Sequence, residues 1–282
     1  MRPGKRTFIT LLIIPLFGFL ACAQKAQNRS IAKPEPSPTA EKIARIENPG
    51  KVIHVMVALC DNEHQGIVPV PAHLGDGADP AGNLYWGAAY GLKTYFTRSS
   101  KWEKIAEVSD PKENVLKRLV FKYKTKDVFL VADAYRGDRM KETINDFFSA
   151  ASGAGLENVK AGDKTLQILG GADLVAFVGH NGLMDFDLEK MPEKADDEER
   201  RAIILACASK NYFSPHLKKT GATPLLWTSN LMAPESYILH DALEGWIGGE
   251  TDEQVRTRAA AAYSKYQKIS LKSAKNLLVT GW

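Results

Sequence analysis

The sequence predicts an α/β fold, a three-layer α/β/α sandwich around a mostly parallel sheet. Three observations point there. Five short apolar runs, KVIHVMVALC (51–60), DVFLVADAY (127–135), ADLVAFVGH (172–180), AIILAC (202–207) and TPLLWTS (223–229), recur along the chain. Their apolarity is continuous rather than alternating, which suits strands buried on both faces. The intervals between them are long enough to hold helices or crossovers, as parallel neighbours require. At 282 residues the chain can bury a substantial core.

Residues 1–23 read as a signal peptide, with a basic start (Arg2, Lys5, Arg6), an apolar run over 8–21 and the small-residue site Ala21-Cys22-Ala23. The competing reading is a retained anchor, for which the run is short. The stretch FLAC is also a loose lipoprotein-type box, in which lipidated Cys22 would be the sole membrane attachment. An exported protein is expected: periplasmic, outer-membrane-associated or extracellular. Loss of the leader lowers the net charge from +4 to +1, which leaves no strongly basic surface for nucleic acid. Residues 24–50 are polar and contain proline, and read as a flexible tether. A single α/β domain over 51–282 follows.

After the first run, residues 61–83 form a long loop rich in Gly, Pro, Asp and His. Leu84, Ala88, Leu92 and Phe96 stand at near-helical spacing and predict a helix over 83–99; Tyr85, Trp86, Tyr90 and Tyr95 within it suit either core packing or a ligand platform. Residues 101–125 fit an edge hairpin or a helix. Residues 136–153 predict a helix, with Asp138 as N-cap candidate and Gly153 as its close. The RGD triplet at 136–138 is short enough to arise by chance. Residues 185–200 form an acidic, mobile-looking segment that suits a solvated loop or an activation loop. The chain ends in helices over 236–282, where Thr251 and Gln254 match a capping box.

The side chains suited to chemistry fall at the ends of the apolar runs. In parallel sheets the ligand-facing edge lies outside the carboxyl ends of the strands. Asp61, Glu63, His64, His180 and Cys207 are therefore expected on one rim. A thiolate is a strong nucleophile, and a neighbouring imidazole can generate it. The amides of Gly182 and Cys207 are placed to receive a developing oxyanion, and Gly182 leaves room for a carbonyl to approach.

One block ending in His with Gly close behind, and another ending in Ala-Cys with Ser two residues later, resemble the caspase-like superfamily of cysteine peptidases. That superfamily includes legumain, gingipain, clostripain and separase. The likeness spans roughly residues 52–250. It implies that His180 acts on the leaving group, that Cys207 attacks a peptide carbonyl, and that the sheet is parallel and flanked by helices. The loop DNEHQG is similar to the legumain-type segment that lines the pocket for the residue before the scissile bond, so Asp61, Glu63 and His64 are expected there. Trp227, Thr228, Ser229 and Asn230 match the substrate-binding loop. An exported cysteine endopeptidase, acting on a peptide or protein after a basic residue, is the expectation.

Three features depart from the superfamily pattern. Asn181 is inserted between His180 and Gly182, so Asn181 or its amide would have to substitute as oxyanion donor. His180 and Cys207 are only 27 residues apart. Glu63 replaces an arginine, which favours Lys or Arg in a ligand. The superfamily sheet order puts Cys60 about 10 Å from Cys207, too far for a disulfide; Cys60 is expected buried and free, a redox link being the alternative.

No cofactor is required by this chemistry. Asp61, Glu63, His64, His73, Asp76 and Asp79 offer ligand chemistry for a structural calcium in preference to zinc, though in no compact metal motif. Asp133, Tyr135 and Arg136 finish the second run and are candidates for the same rim. A Gly-x-Ser-x-Gly elbow and a glycine dinucleotide fingerprint are both absent. The rivals to the peptidase are a caspase-like scaffold that binds a peptide or glycan without cleaving it, and a nonpeptidase cysteine amide hydrolase.

Overall fold

The computed structural model describes residues 43–190 and 192–282. The expected signal peptide and most of the expected tether lie outside these residues. The five apolar runs form strands β1 (Lys51–Ala58), β4 (Val128–Tyr135), β7 (Leu174–Val178), β8 (Arg201–Leu205) and β9 (Thr223–Thr228). All five are parallel, in the order β9-β8-β7-β1-β4. The hairpin β2 (Trp102–Lys112) and β3 (Val115–Tyr123) extends the sheet antiparallel beyond β4. A two-residue strand, β10 (Leu278–Val279), pairs antiparallel with β9 at the opposite edge and completes eight strands.

Each sheet face carries its own core, because successive strand residues point to opposite sides. Ile53, Val55 and Val57 of β1 pack toward helices α1 (Leu92–Arg98), α4 (Ser236–Gly248) and α5 (Asp252–Gln267). Val52, Met56 and Ala58 pack toward α2 (Met140–Ser152), α3 (Ser209–Thr220) and a small hairpin, β5 (Glu157–Ala161) and β6 (Lys164–Ile168). Helix α6 (Leu271–Leu277) leads into β10. Helices on both faces of a mixed, mostly parallel sheet make the three layers. The capping box of α5 forms in full between Thr251 and Gln254.

Four elements differ from the sequence reading. The helix expected over 83–99 is confined to Leu92–Arg98. Asn83 is buried, and its side chain bonds the backbone of Cys60, Tyr85 and Asp76, which holds the preceding residues in turns instead of a helix. Asp138 does not cap α2; it lies in a 3-10 turn and pairs with Arg136 at 3.0 and 3.2 Å. Gly153 does close the helix, with φ 91°.

The tether expected over 24–50 gives way at its described end. Asn48 accepts the amide of Gln167 at 2.7 Å and donates to the carbonyl of Gly171 at 2.9 Å, and Arg45 pairs with Asp196. The acidic segment is fastened as well: Arg200, 3% exposed, holds Asp196 at 2.7 and 2.8 Å and the carbonyl of Gly170 at 3.0 Å. Ala195 donates to Ser152 at 2.7 Å. These bonds tie the end of the acidic segment, residues 195–200, to Gly170 and Ser152.

An ionic network lies inside the layer covered by α2. Asp133 on β4 is fully buried and accepts from Arg118 of β3 at 2.7 and 2.8 Å, with His54 Nε2 of β1 at 3.1 Å. Arg118 also reaches Glu157 of β5. Burial works against the charge of Asp133, yet the hydrogen bonds from Arg118 and His54 outweigh it and hold its pKa at about 2. Removing one partner of a buried pair strands the other, at a cost of about 3–5 kcal/mol. Asp133→Ala is therefore expected to lower unfolding free energy by about that amount in urea titrations at pH 7. Because the carboxyl pKa is depressed on folding, the contribution is complete above the ordinary carboxylate range and fades as pH falls toward 2. The difference between wild type and variant should shrink over that interval.

Candidate functional site

The parallel strands deliver their following loops to one rim. After β1, the chain turns at Asp61, whose carboxylate Oδ1 accepts from the amides of Glu63 at 2.8 Å and His64 at 3.0 Å. The His64 ring Nδ1 stands 3.0 Å from Asp61 Oδ2. After β4, Arg136 and Asp138 face the same space. Asp61, Glu63 and His64 thus line one cavity of about 310 Å³ with Asp76, Arg136 and Asp138. Hydrogen bonding to Arg136 holds the Asp138 carboxyl below the usual range. Four carboxylates face one guanidinium there, so the cavity is electronegative.

His180 and Cys207 do sit at the ends of β7 and β8, but their bonds lead elsewhere. His180 Nε2 is 2.6 Å from Asp185 Oδ2, and the same oxygen accepts the amide of Gly66 at 3.4 Å. The Cys207 sulfur donates to the carbonyl of Met232 at 3.5 Å and accepts its amide at 3.4 Å. No hydrogen bond joins His180 to Cys207 among the described residues, and no group of three or more His, Cys, Asp or Glu side chains is placed to hold a metal ion. The expectation of a cysteine peptidase with a Cys-His dyad is overturned by this geometry, and with it the assignment as a hydrolase.

Gly182 and Asn181 have structural roles that the chemical reading missed. The Gly182 amide donates to the carbonyl of His180 at 3.2 Å, so it is not free for an oxyanion. A Cβ at Gly182 would fall 2.4 Å from Met140 Cγ, and packing explains the glycine. Asn181 is fully buried. Its Nδ2 donates to the carbonyl of Cys207 at 2.6 Å, and its Oδ1 accepts the amide of Leu183 at 3.1 Å. The residue inserted after His180 is a staple between the ends of β7 and β8, not a ligand contact.

The expected substrate loop divides as well. Trp227 and Thr228 are buried: Trp227 Nε1 donates to the carbonyl of Gly281 at 3.0 Å, and Thr228 bonds Ser209 and the carbonyl of Ala206. Ser229 and Asn230 are exposed, but they line a separate cavity with Leu231, Ser273, Asn276 and Leu277. None of the four faces the cavity at Asp61.

Both cysteines among the described residues, Cys60 and Cys207, are free. Cys60 is fully buried, and burial pushes its thiol up to about 11, against the opposing hydrogen bond with Tyr85. Asp133 lies in the buried network rather than on the rim. Asp76 and Asp79, considered above as calcium ligands, accept the amides of Ala78 and Ala81, each at 2.8 Å.

Residues missed by sequence reasoning include Asp76 and Asp138 as cavity wall and Met232 as the partner of Cys207. The Asp-rich stretch 76–79 carried a signal for the first. Nothing in the spacing of Met232 announces the last. Comparisons with protein-family models, curated proteins and solved structures find no match.

The staple yields a stability prediction. Asn181→Ala leaves the Cys207 carbonyl and the Leu183 amide without partners, and about 1–3 kcal/mol per stranded group is the expected scale. Thermal unfolding should show a clear fall in Tm; an unchanged Tm would contradict the role given to Asn181.

Proposed function

We propose that this protein is an exported, non-catalytic binding scaffold of the caspase-like type, holding an extended peptide segment with a basic residue in the rim cavity. The observation that carries the reading is the chemistry around that cavity. Asp61, Glu63, Asp76 and Asp138 outweigh Arg136 in its walls. The loop after β1, which supplies Asp61 and Glu63, also presents a large apolar side chain to solvent, Val68 (87% exposed). Single exposed hydrophobes are ordinary, but one on the loop that carries the cavity's carboxylates suits a partner with an ionic anchor and an apolar flank.

The caspase-like assignment draws support from the neighbour order of β1, β7 and β8 and from His and Cys at adjacent strand ends. Export draws support from the leader-like composition of residues 1–23. The Asp185 bond to His180 and the Met232 bonds to Cys207 favour a preorganised surface over a reacting one. A rigid face binds with less loss of conformational freedom.

Fluorescence anisotropy with labelled octapeptides, apolar around a central Lys or Arg, tests this. The basic peptides should bind intact and their Glu-centred counterpart should not. Glu63→Lys, on an exposed side chain, should weaken binding by at least about tenfold, equivalent to about 1.4 kcal/mol. Equal binding of Lys- and Glu-centred peptides, or none of either, would refute the reading.

A further inference from the structure

A second cavity, of about 480 Å³, lies between α1 and α4 and shares no wall residue with the rim cavity. Tyr90, Tyr95, Arg98, Ser100, Lys101 and Glu244 are in its lining. The two tyrosines are fixed from behind. Tyr237 and Tyr266 stack at 4.2 Å with their planes 12° apart, and Tyr90 meets them edge-on at 5.8 and 5.1 Å. Tyr95 meets the same pair at 6.4 and 6.3 Å, and its hydroxyl lies 3.2 Å from that of Tyr266. Tyr90 remains 41% exposed. The result is an aromatic cluster with Tyr90 open to solvent and Tyr95 packed against the core.

The polar groups opposite this wall have a particular character. Glu244 accepts from Tyr123 through Oε2 at 2.9 Å, while its Oε1 is buried with no partner. Arg98 and Lys101 supply donors on the same cavity, and Ser100 supplies a hydroxyl. The two cations disfavour a cationic ligand, and the carboxylate disfavours an anion. A neutral polyhydroxyl compound suits both, since each hydroxyl donates and accepts.

We propose that this tyrosine-walled cavity binds a saccharide. The apolar C–H face of a sugar ring packs on the tyrosines, and its hydroxyls bond Arg98, Lys101 and Ser100. The volume falls in the range of about 300–1,000 Å³ usual for small-ligand sites. The proposal stands independently of the peptide reading, because it uses other residues on another part of the surface.

Saturation-transfer difference NMR on the full chain with chitotriose, maltotriose and cellotriose tests it. At least one should show transfer to ring C–H protons and saturable binding. Tyr90→Ala, which removes the stacking face, and Ser100→Trp, which fills the cavity from an exposed position, should each weaken that binding at least about tenfold, or about 1.4 kcal/mol. Absence of transfer to all three sugars would overturn the proposal. Binding of wild-type strength in a Ser100→Trp protein that keeps the wild-type Tm would overturn it equally.

Discussion

Where a parallel strand leaves its sheet, its backbone loses ladder partners while still buried, and the rest of this rim depends on how that deficit is met. Buried carboxamides meet it here. Asn83 bonds both the amide and the carbonyl of Cys60, just beyond β1, at 3.1 and 2.8 Å. Gln65 donates to the carbonyls of Leu59 and Gly137 at 2.7 and 3.0 Å, tying the loop after β1 to the loop after β4. Asn181 performs the same service between β7 and β8. A carboxamide suits the task because it donates and accepts without bringing a charge into the interior.

This stapling explains why His180 and Cys207 form no dyad at the rim. The loops that would have to bring imidazole, thiol and amide together are each committed to bonds of their own. Asp185 engages His180, the Met232 backbone engages Cys207, and the Gly182 amide folds back on His180. The same commitments hold Asp61 and its neighbours in a fixed, electronegative cavity. On the proposed scaffold reading, such a face discriminates by charge and shape at little cost in ordering.

The sheet was legible in the sequence because continuous apolarity reports burial on both faces, and β1, β4, β7, β8 and β9 fall within a few residues of the runs that announce them. The capping box of α5 was legible because it is a local device. The hairpin of β5 and β6 was not: ENVKAGDKTLQI mixes short polar and apolar pieces, and its place in the core beside β1 is a tertiary fact. The turns over 83–91 were hidden for a similar reason, since helical spacing of Leu84, Ala88 and Leu92 says nothing of Asn83 bonding Cys60 across the chain.

The candidate site was legible in location more than in role. Asp61, Glu63 and His64 converge because strand ends converge, a property of topology. The partnership of His180 and Cys207 depended on side-chain geometry, which residue order does not carry. Asn181 looked like a disturbance of a catalytic motif and is instead part of the framework.

The most direct measurement is the rate at which iodoacetamide labels Cys207 in reduced, folded protein, read by mass spectrometry across a pH series in wild type and His180→Ala. A rim without a catalytic dyad gives the same pH–rate profile in both proteins. Rapid labelling of wild type near neutral pH that disappears with His180 would contradict the account, because it would reveal a thiolate maintained by that imidazole.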